Sequence, residues 1–401
     1  MKAQEIRCEN DLVLYEKLQQ DTDVKRVNDM IKRREAEGPT GIRRNLLATS
    51  VRLTKGMAPD IAKMAEECIE KLGVEIPLEL YVYSSPQFNA ACFKPEEDRL
   101  NVMFSSSLLE GFDANELKFV MGHELGHYIY NHHDIPVGYL LQGQDKPDPK
   151  LALELFAWSR YAEISADRAG AHCAQNMNAV AHSLFKLSSG LTSKLVKFSL
   201  DDFVAQADEM EVVDSNLQRA GPRADWFSTH PFSPLRVKAL KFFEGSEFYS
   251  SGKNAMPREN LEVAVQGVLA LMEPSYLEAK TDRAETMRRL LFAGLIVVAD
   301  AHDGISEEEI EIFARFFGKY AFSDKLDIEK TKGTLKHRIE EVNKAASLTQ
   351  RMQVLRDMCV MARANGGVHA KERMALEGVA EGLGVSSSFV VQNTEVGRDL
   401  D

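Results

Sequence analysis

The sequence predicts an α+β fold that is predominantly helical, with one small β-sheet and a separate all-helical C-terminal part. Apolar residues recur every three or four positions along most of the chain, whereas short runs rich in Val, Tyr and Phe are confined to residues 76–105. A chain of 401 residues can bury one large core and a second, smaller one. The polar segment 245–260 contains Gly and Ser and predicts the boundary between domains at 1–250 and 251–401.

Each element of the first part has a local signal. Residues 11–75 show mostly helical periodicity, and the runs LELYVY and RLNVMFSS predict two or three strands. Asp113 and Glu116 have the spacing of a helix-capping pair, which predicts a helix over about 114–132. A second long helix is predicted from Leu151 to about Gln175.

The composition excludes several functional classes. Asp and Glu outnumber Lys and Arg by 61 to 49, giving a formal net charge of −12, so nucleic acid is not an expected partner. Five scattered cysteines without a CxxC pair are typical of reduced thiols in a cytosol. The longest apolar run has ten residues, about half of the roughly 20 that cross a bilayer, and no secretory signal is visible. We therefore expect a soluble, cytoplasmic protein without a transmembrane segment.

The motif His123-Glu124-Leu125-Gly126-His127 lies on the first of the two long predicted helices. Spacing by four residues places both imidazoles on one helix face, where they can bind one Zn²⁺, while Glu124 can take a proton from the attacking water. The motif therefore predicts one zinc ion per chain and metal-assisted hydrolysis. A five-residue pattern of this kind also arises by chance.

A catalytic zinc needs a third protein ligand, and the sequence offers two candidates. His133 has the spacing of HExxHxxGxxH, but Tyr130 stands where that motif requires Gly. Glu163 lies on the second long helix and shares a face with Asp167, so one can bind metal while the other accepts the free N–H of a ligand histidine. The spacing favours Glu163.

A third motif follows in the segment THPFSPLR, which contains His230 and, six residues later, Arg236. Both side chains can donate hydrogen bonds to the oxyanion that forms when a peptide carbonyl is attacked. Taken alone, His230 would be interpreted as an ordinary loop histidine.

With HELGH, EISAD and STHPFSPLR in this order, the chain resembles the gluzincin family that contains the HtpX proteases and the CAAX prenyl proteases. The resemblance spans roughly residues 40–245 and implies a zincin-like metallopeptidase domain. It implies the following roles: zinc ligands His123, His127 and Glu163, general base Glu124, Asp167 as partner of a ligand histidine, and His230 with Arg236 as transition-state stabilisers.

The same resemblance implies that the segment FNAACF is a substrate-binding edge strand. Asn89 and Ala90 would then hold a peptide backbone by strand addition. The chain departs from well-known members because no transmembrane helices are apparent in it.

The C-terminal part contains VADAHDGISEEE and resembles the TerB-like domain associated with tellurite resistance over about residues 280–390. Segments 298–313 and 361–376 form a weak repeat in which each copy reads as helix, glycine turn and helix. A regulatory protein partner could bind through this domain.

These observations predict a soluble zinc-dependent endopeptidase that acts on a peptide or protein substrate. The alternative is a latent or non-catalytic scaffold whose TerB-like domain mediates sensing or protein interaction. The intact Glu124 favours the enzyme, because a scaffold has no need of a general base.

Overall fold

The computed structural model describes residues 3–142, 149–192, 195–215, 228–250, 255–272, 282–302, 327–346, 348–362 and 368–395, with the single positions 252, 276, 304, 305, 307, 310, 313 and 317. Contacts divide the chain into two compact units, one of residues 1–207 and 227–258 and one of residues 208–226 and 259–401. The predicted α+β class, mainly helical with one small sheet, is confirmed. The boundary between 250 and 251 stays a prediction of where separately folding domains end.

Up to residue 250, the chain forms eleven helices and four strands among the described residues. In chain order these elements are α1 (Glu9–Gln20), α2 (Thr22–Glu37), α3 (Ile42–Thr49), β1 (Val51–Leu53), α4 (Pro59–Leu72), β2 (Leu78–Tyr83), β3 (Ala90–Glu96), β4 (Arg99–Ser105), α5 (Ser106–Gly111), α6 (Ala114–Ile129), α7 (Val137–Gln142), α8 (Pro149–Ala174), α9 (Met177–Ser189), α10 (Leu200–Ser215) and α11 (Ser233–Glu244). Short 3₁₀ turns cover Ala3–Ile6 and His132–Asp134.

The sheet has the strand order β1-β2-β4-β3. Strands β2 and β4 are parallel, with Leu80 opposite Val102, and the two outer pairs are antiparallel. The strands predicted from LELYVY and RLNVMFSS are present, and β3 lies at an edge of the sheet. The sequence did not predict β1, a strand of three residues whose side chains are mostly exposed.

Helix α6 begins where the sequence predicts. Glu116 N donates to Asp113 Oδ1 at 3.0 Å, and Asp113 N donates to Glu116 Oε2 at 2.7 Å, which completes the capping pair. The helix ends at Ile129, three residues before its predicted end, because Asn131 adopts a left-handed conformation with φ of 58°.

Helices α6 and α8 pack at very short range because glycines face the contact. A methyl group on Gly122 would lie 2.7 Å from Cys173 Sγ, and one on Gly170 would lie 2.5 Å from the carbonyl oxygen of Phe119. One turn further along α6, a methyl group on Gly126 would meet the α8 backbone at 3.0 Å. This approach brings the acidic residues of α8 next to the histidines of α6.

Beyond residue 257 most of the described residues are helical. The helices there are α12 (Arg258–Leu269), α13 (Asp282–Ala299), α14 (Ile328–Gly333), α15 (Leu335–Ala345), α16 (Leu348–Ala362), α17 (Ala370–Gly382) and α18 (Ser387–Glu395), and a 3₁₀ turn covers Ala270–Met272. The apolar run in α13 is buried against α16, where Met358 fills the space beside Gly294. None of the helices among the described residues combines the length and the hydropathy that a membrane span requires.

The predicted repeat in this unit is only partly within the described residues. In its second copy α16 ends at Ala362, and His369 caps α17 in a box with Glu372, while the expected glycine turn lies outside the described residues. Many positions of the repeat lie outside the described residues, namely 303, 306, 308, 309, 311, 312 and 363–367.

Replacing Gly170 by Ala should lower the free energy of unfolding by about 1–3 kcal/mol, because the added methyl group has no room between α6 and α8. Urea denaturation followed by circular dichroism measures the change. Gly138, in α7, is the matched control, since nothing lies within 4 Å of a methyl group there. Gly138→Ala should leave stability unchanged or raise it by up to about 1 kcal/mol. Equal stability of the Gly170 variant and the unmodified protein would contradict the close packing.

Candidate metal centre

Three side chains from α6 and α8 converge on one point. His123 and His127 lie one helical turn apart, and Glu163 faces them from α8, with one ligand atom of each within 4.8 Å of the others. The two Nε2 atoms are 3.2 Å apart, and Glu163 oxygens lie 3.4 Å from His127 Nε2 and 3.5 Å from His123 Nε2. Ligands about 2.0–2.1 Å from a tetrahedral zinc lie about 3.3 Å from one another. The spacing therefore fits a single zinc ion.

The electrostatic environment of Glu163 also favours a bound cation. Its burial opposes ionisation, but the charge of His123 and a hydrogen bond from His127, with His230 and Arg236, hold the pKa of the carboxyl well below its usual range. Its Oε2 atom is buried and accepts no hydrogen bond from any described residue. A buried carboxylate oxygen without a hydrogen bond is costly, and a cation between Glu163 and the two imidazoles would satisfy it.

Asp167 fixes the orientation of His123. The Oδ1 atom of this fully buried carboxylate lies 3.0 Å from His123 Nδ1, so that Nε2 is left to face the metal position. Burial raises the pKa of Asp167, but the charge and hydrogen bonds of Arg236 outweigh it and the pKa is lowered. Asp167 therefore lies beside His123, the histidine side of its predicted role, and it also pairs with Arg236, a contact that the sequence did not predict.

Arg236 forms two hydrogen bonds with the carboxylate of Asp167. Its Nε donates to Asp167 Oδ2 at 2.8 Å and its Nη2 to Oδ1 at 2.6 Å, while Nη2 also lies 3.3 Å from Glu163 Oε2. Burial opposes the charge of the guanidinium, but Asp167 outweighs it and raises the pKa of Arg236. The Nε and Nη2 donors of Arg236 are thus directed at Asp167 and Glu163.

His230 borders the site from a more open position. Its side chain is 67% exposed, and Nε2 lies 3.5 Å from Glu163 Oε1. Thr229 Oγ1 lies 2.9 Å from its Nδ1 and steadies the ring.

Glu124 is 8% exposed and lies on α6 between the two ligand histidines. It forms no hydrogen bond or ion pair with a described residue, whereas its charge acts on the neighbouring His127. An unengaged carboxylate beside the metal ligands is free to accept a proton.

His133 is not part of the ligand cluster. Its Nε2 lies 2.9 Å from the carbonyl oxygen of Cys92, in the edge strand β3. Burial is the main cause that lowers the pKa of His133, which favours the neutral ring. Of the two candidates for a third ligand, the structure brings Glu163 to the histidines and leaves His133 at the sheet.

The two predicted substrate-binding residues lie at the start of the edge strand. Asn89 donates its N–H to Ser105 Oγ at 3.1 Å and accepts from Ser105 N at 2.9 Å, so its backbone is occupied by β4. Because backbone groups of successive residues alternate across an antiparallel pair, those of Ala90 and Cys92 face the free edge. The bond from His133 to the Cys92 oxygen agrees with this alternation.

Two residues near the ligands were missed in the sequence. His132 Nδ1 lies 2.8 Å from His127 Nδ1, and His132 Nε2 lies 3.0 Å from Asp11 Oδ2. Burial is the main cause that lowers the pKa of His132, to about 4. No spacing rule connects Asp11 with the motif, since it belongs to a segment far away in sequence. The only available signal was a histidine five residues after His127.

Comparison with known proteins agrees with this geometry. Residues 57–142 and 150–243 match Peptidase family M48, and residues 288–392 match Tellurite resistance protein TerB. No solved structure matches the chain.

Three relatives show the level of similarity. The Plastoglobule-localized metallopeptidase 48, chloroplastic, of Arabidopsis thaliana is 29% identical over 233 residues, covering 55% of this chain and 67% of the relative. A Protease HtpX homolog of Helicobacter pylori is 23% identical over 219 residues, covering 45% and 66%. A Protease HtpX homolog of Bacillus subtilis is 26% identical over 200 residues, covering 41% and 62%. The chain thus spans about two thirds of the length of these relatives.

The matches support a protease function at the level of the family, and the predicted resemblance is confirmed in both parts of the chain. The chain thus carries an HtpX-like segment that matches Peptidase family M48 over residues 57–142 and 150–243 and a TerB-like segment over residues 288–392.

Proposed function

We propose that this protein is a zinc-dependent endopeptidase that hydrolyses peptide bonds in a peptide or protein substrate. The observation that carries the proposal is the convergence of His123, His127 and Glu163 at the separations that one tetrahedral zinc requires. In this proposal the three residues hold one ion per chain, and Zn²⁺ supplies Lewis-acid polarisation of the substrate carbonyl and lowers the pKa of water.

The side chains around the ligands divide the remaining work. Glu124 accepts the proton of the attacking water and returns it to the leaving amine. His230 donates a hydrogen bond to the oxyanion that develops on the substrate carbonyl. Asp167 and Arg236 hold His123 and Glu163 in place.

The edge strand β3 supports an endopeptidase in particular. An extended peptide can add to its outer edge, where the backbone groups of Ala90 lie, in the general mode of strand addition, whereas the Cys92 oxygen on that edge already accepts from His133. Such binding depends on main-chain hydrogen bonds, so it holds the interior of a polypeptide without requiring a chain end. Asn89 contributes through its side chain, which donates to Tyr83 Oη at 3.1 Å and braces the start of the strand.

The proposal places the enzyme in the cytoplasm as a soluble protein. None of the five cysteines, all of which lie among the described residues, forms a disulfide, and four of them are buried, as expected for a chain kept in a reducing compartment. The TerB-like segment is then a candidate site for a regulatory partner. A pure scaffold is less consistent with Glu124, a carboxylate kept beside the ligands without a structural bond.

The purified protein should contain one zinc per chain by elemental mass spectrometry. Glu163→Ala should lose the metal, because a third ligand and its negative charge are removed. His133→Ala is the matched control and should keep full stoichiometry, since His133 contacts the sheet instead of the ligands. Circular dichroism confirms that both variants fold. Retention of zinc by the Glu163 variant would exclude the proposed ligand set.

Glu124→Gln should retain one zinc per chain and lose cleavage of a denatured protein substrate by about 10²- to 10⁴-fold, because an amide cannot accept the proton of water. The isosteric change leaves the three ligands in place, so metal content separates a chemical defect from a structural one. Undiminished zinc-dependent cleavage by this variant would refute the assignment of the general base.

Substitutions at His230 and Arg236 should affect different quantities, kcat for His230 and zinc affinity for Arg236. His230→Ala should reduce kcat by about 10²- to 10³-fold with unchanged zinc affinity, as expected for loss of an oxyanion donor. Arg236→Gln should weaken zinc binding, because Asp167 and Glu163 lose the cation that positions them. Steady-state kinetics with chelator competition measures both effects. If Arg236→Gln lowers kcat alone, its side chain acts on the substrate after all.

A further inference from the structure

Asp11, on the N-terminal helix α1, is the meeting point of several buried hydrogen bonds. This carboxylate is fully buried. Its partners are Arg7, which donates at 2.8 and 3.1 Å, Trp158 Nε1 at 3.0 Å, Ser165 Oγ at 2.7 Å and His132 Nε2 at 3.0 Å. Of these partners, His132 contacts a residue of the candidate metal centre, His127.

We propose that helix α1 completes the metal centre, because Asp11 orients the zinc ligand His127 through His132. The inference rests on the zinc site proposed above and adds two positioning residues to it. Neither residue touches the position of the metal or of a substrate.

The arrangement of protons along this chain of contacts is consistent. His127 faces the metal position with Nε2, so its Nδ1 carries the proton and donates to His132 Nδ1 at 2.8 Å. His132 then carries its own proton on Nε2 and donates it to Asp11 Oδ2 at 3.0 Å. An ionised Asp11 and a neutral His132 thus fix one tautomer of His127. In this arrangement each proton shared along the contacts from His127 through His132 to Asp11 has one donor and one acceptor.

The two ligand histidines are supported in parallel ways. His123 donates directly to a carboxylate, that of Asp167, at 3.0 Å. The Nδ1 atom of His127 is connected to a carboxylate through the ring of His132, which lies edge-on to Trp158 with centroids 5.6 Å apart. Metal-binding histidines generally give their second N–H to such a partner, and the partner sets the ring orientation and the basicity of the ligand.

The N-terminal segment is fastened firmly enough to serve this purpose. Cys8 N donates to Ser165 Oγ at 3.1 Å, and Tyr130 Oη donates to the carbonyl oxygen of Ala3 at 2.9 Å. These bonds join the segment to α8 and to the end of α6, where the ligands lie. Asp11 precedes residue 57, at which the match to Peptidase family M48 begins. The support of His127 therefore comes from a part of the chain that the match does not cover.

The test measures zinc dissociation constants of the full-length protein by competition with a chelator. His132→Phe keeps the ring packing but removes both polar contacts, and it should raise the dissociation constant by about 10- to 100-fold. His132→Gln should restore most of the affinity, because its amide can accept from His127 and donate to Asp11. Asp11→Asn should weaken binding in the same direction as His132→Phe, since the negative charge at the end of the chain is lost.

Arg7→Lys is the matched control, because it disturbs the fork on the same carboxylate, keeps the compensating positive charge and does not lead to a ligand. It should lower the melting temperature but leave the zinc affinity near that of the unmodified protein. The visible absorption spectrum of the Co²⁺-loaded protein provides a second measurement. It should shift in His132→Phe, where the ligand ring reorients, and stay unchanged in Arg7→Lys.

Unchanged zinc affinity and an unchanged cobalt spectrum in His132→Phe would overturn the inference, as would an equal loss of affinity in Arg7→Lys. Should His132→Phe fail to fold, Asp11→Asn decides in the same manner, because it preserves the shape of the side chain. Absence of zinc from the unmodified protein would instead refute the proposed function. Tight zinc binding that all variants share would refute only the role of α1.

Discussion

The close contact between α6 and α8 is the constraint on which the candidate metal centre depends. Gly122, Gly126 and Gly170 allow the helix backbones to approach to a distance that any larger side chain would prevent. The two histidines and Glu163 come from different helices, and a separation of about 3.3 Å between ligand atoms tolerates little displacement. Residues without a side chain are therefore as necessary to the site as the ligands.

Buried charge is the second constraint. Three buried carboxylates lie near the ligands, and they differ in how completely their oxygens are hydrogen-bonded. Asp167 is matched by the fork of Arg236, and Asp11 by that of Arg7. Breaking either pair would leave an uncompensated charge in the interior. Glu163 alone among these three keeps an oxygen without a hydrogen bond from the described residues. The carboxylate oxygen that lacks a hydrogen bond thus lies where two imidazole nitrogens converge, with Arg236 Nη2 at 3.3 Å.

The parts of this site that the sequence predicted are those with local signals. Helix α6 was predictable because Asp113 and Glu116 form a capping pair within four residues, and the face of α8 was predictable because Glu163 and Asp167 obey helical spacing. Spacing could identify Arg236 as a donor but could not show what accepts from it, since the acceptor lies on another helix. Asp11 was beyond reach for the same reason, because only packing of distant segments places it beside His132. The strand β1 was missed because three mostly exposed residues carry no alternation that could be recognised.

The early end of α6 links the metal centre with the edge of the sheet. After Ile129 the chain leaves the helix, and the left-handed Asn131 leads into the turn that contains two consecutive histidines. His132 contacts His127 and Asp11, whereas His133 contacts the carbonyl oxygen of Cys92 on β3. Had the helix continued through this turn, the side chains of His132 and His133 would lie about 100° apart around one helix axis. The turn instead places His132 beside His127, a proposed metal ligand, and His133 beside the strand proposed to hold the substrate. A single break in the helix therefore determines the position of both histidines.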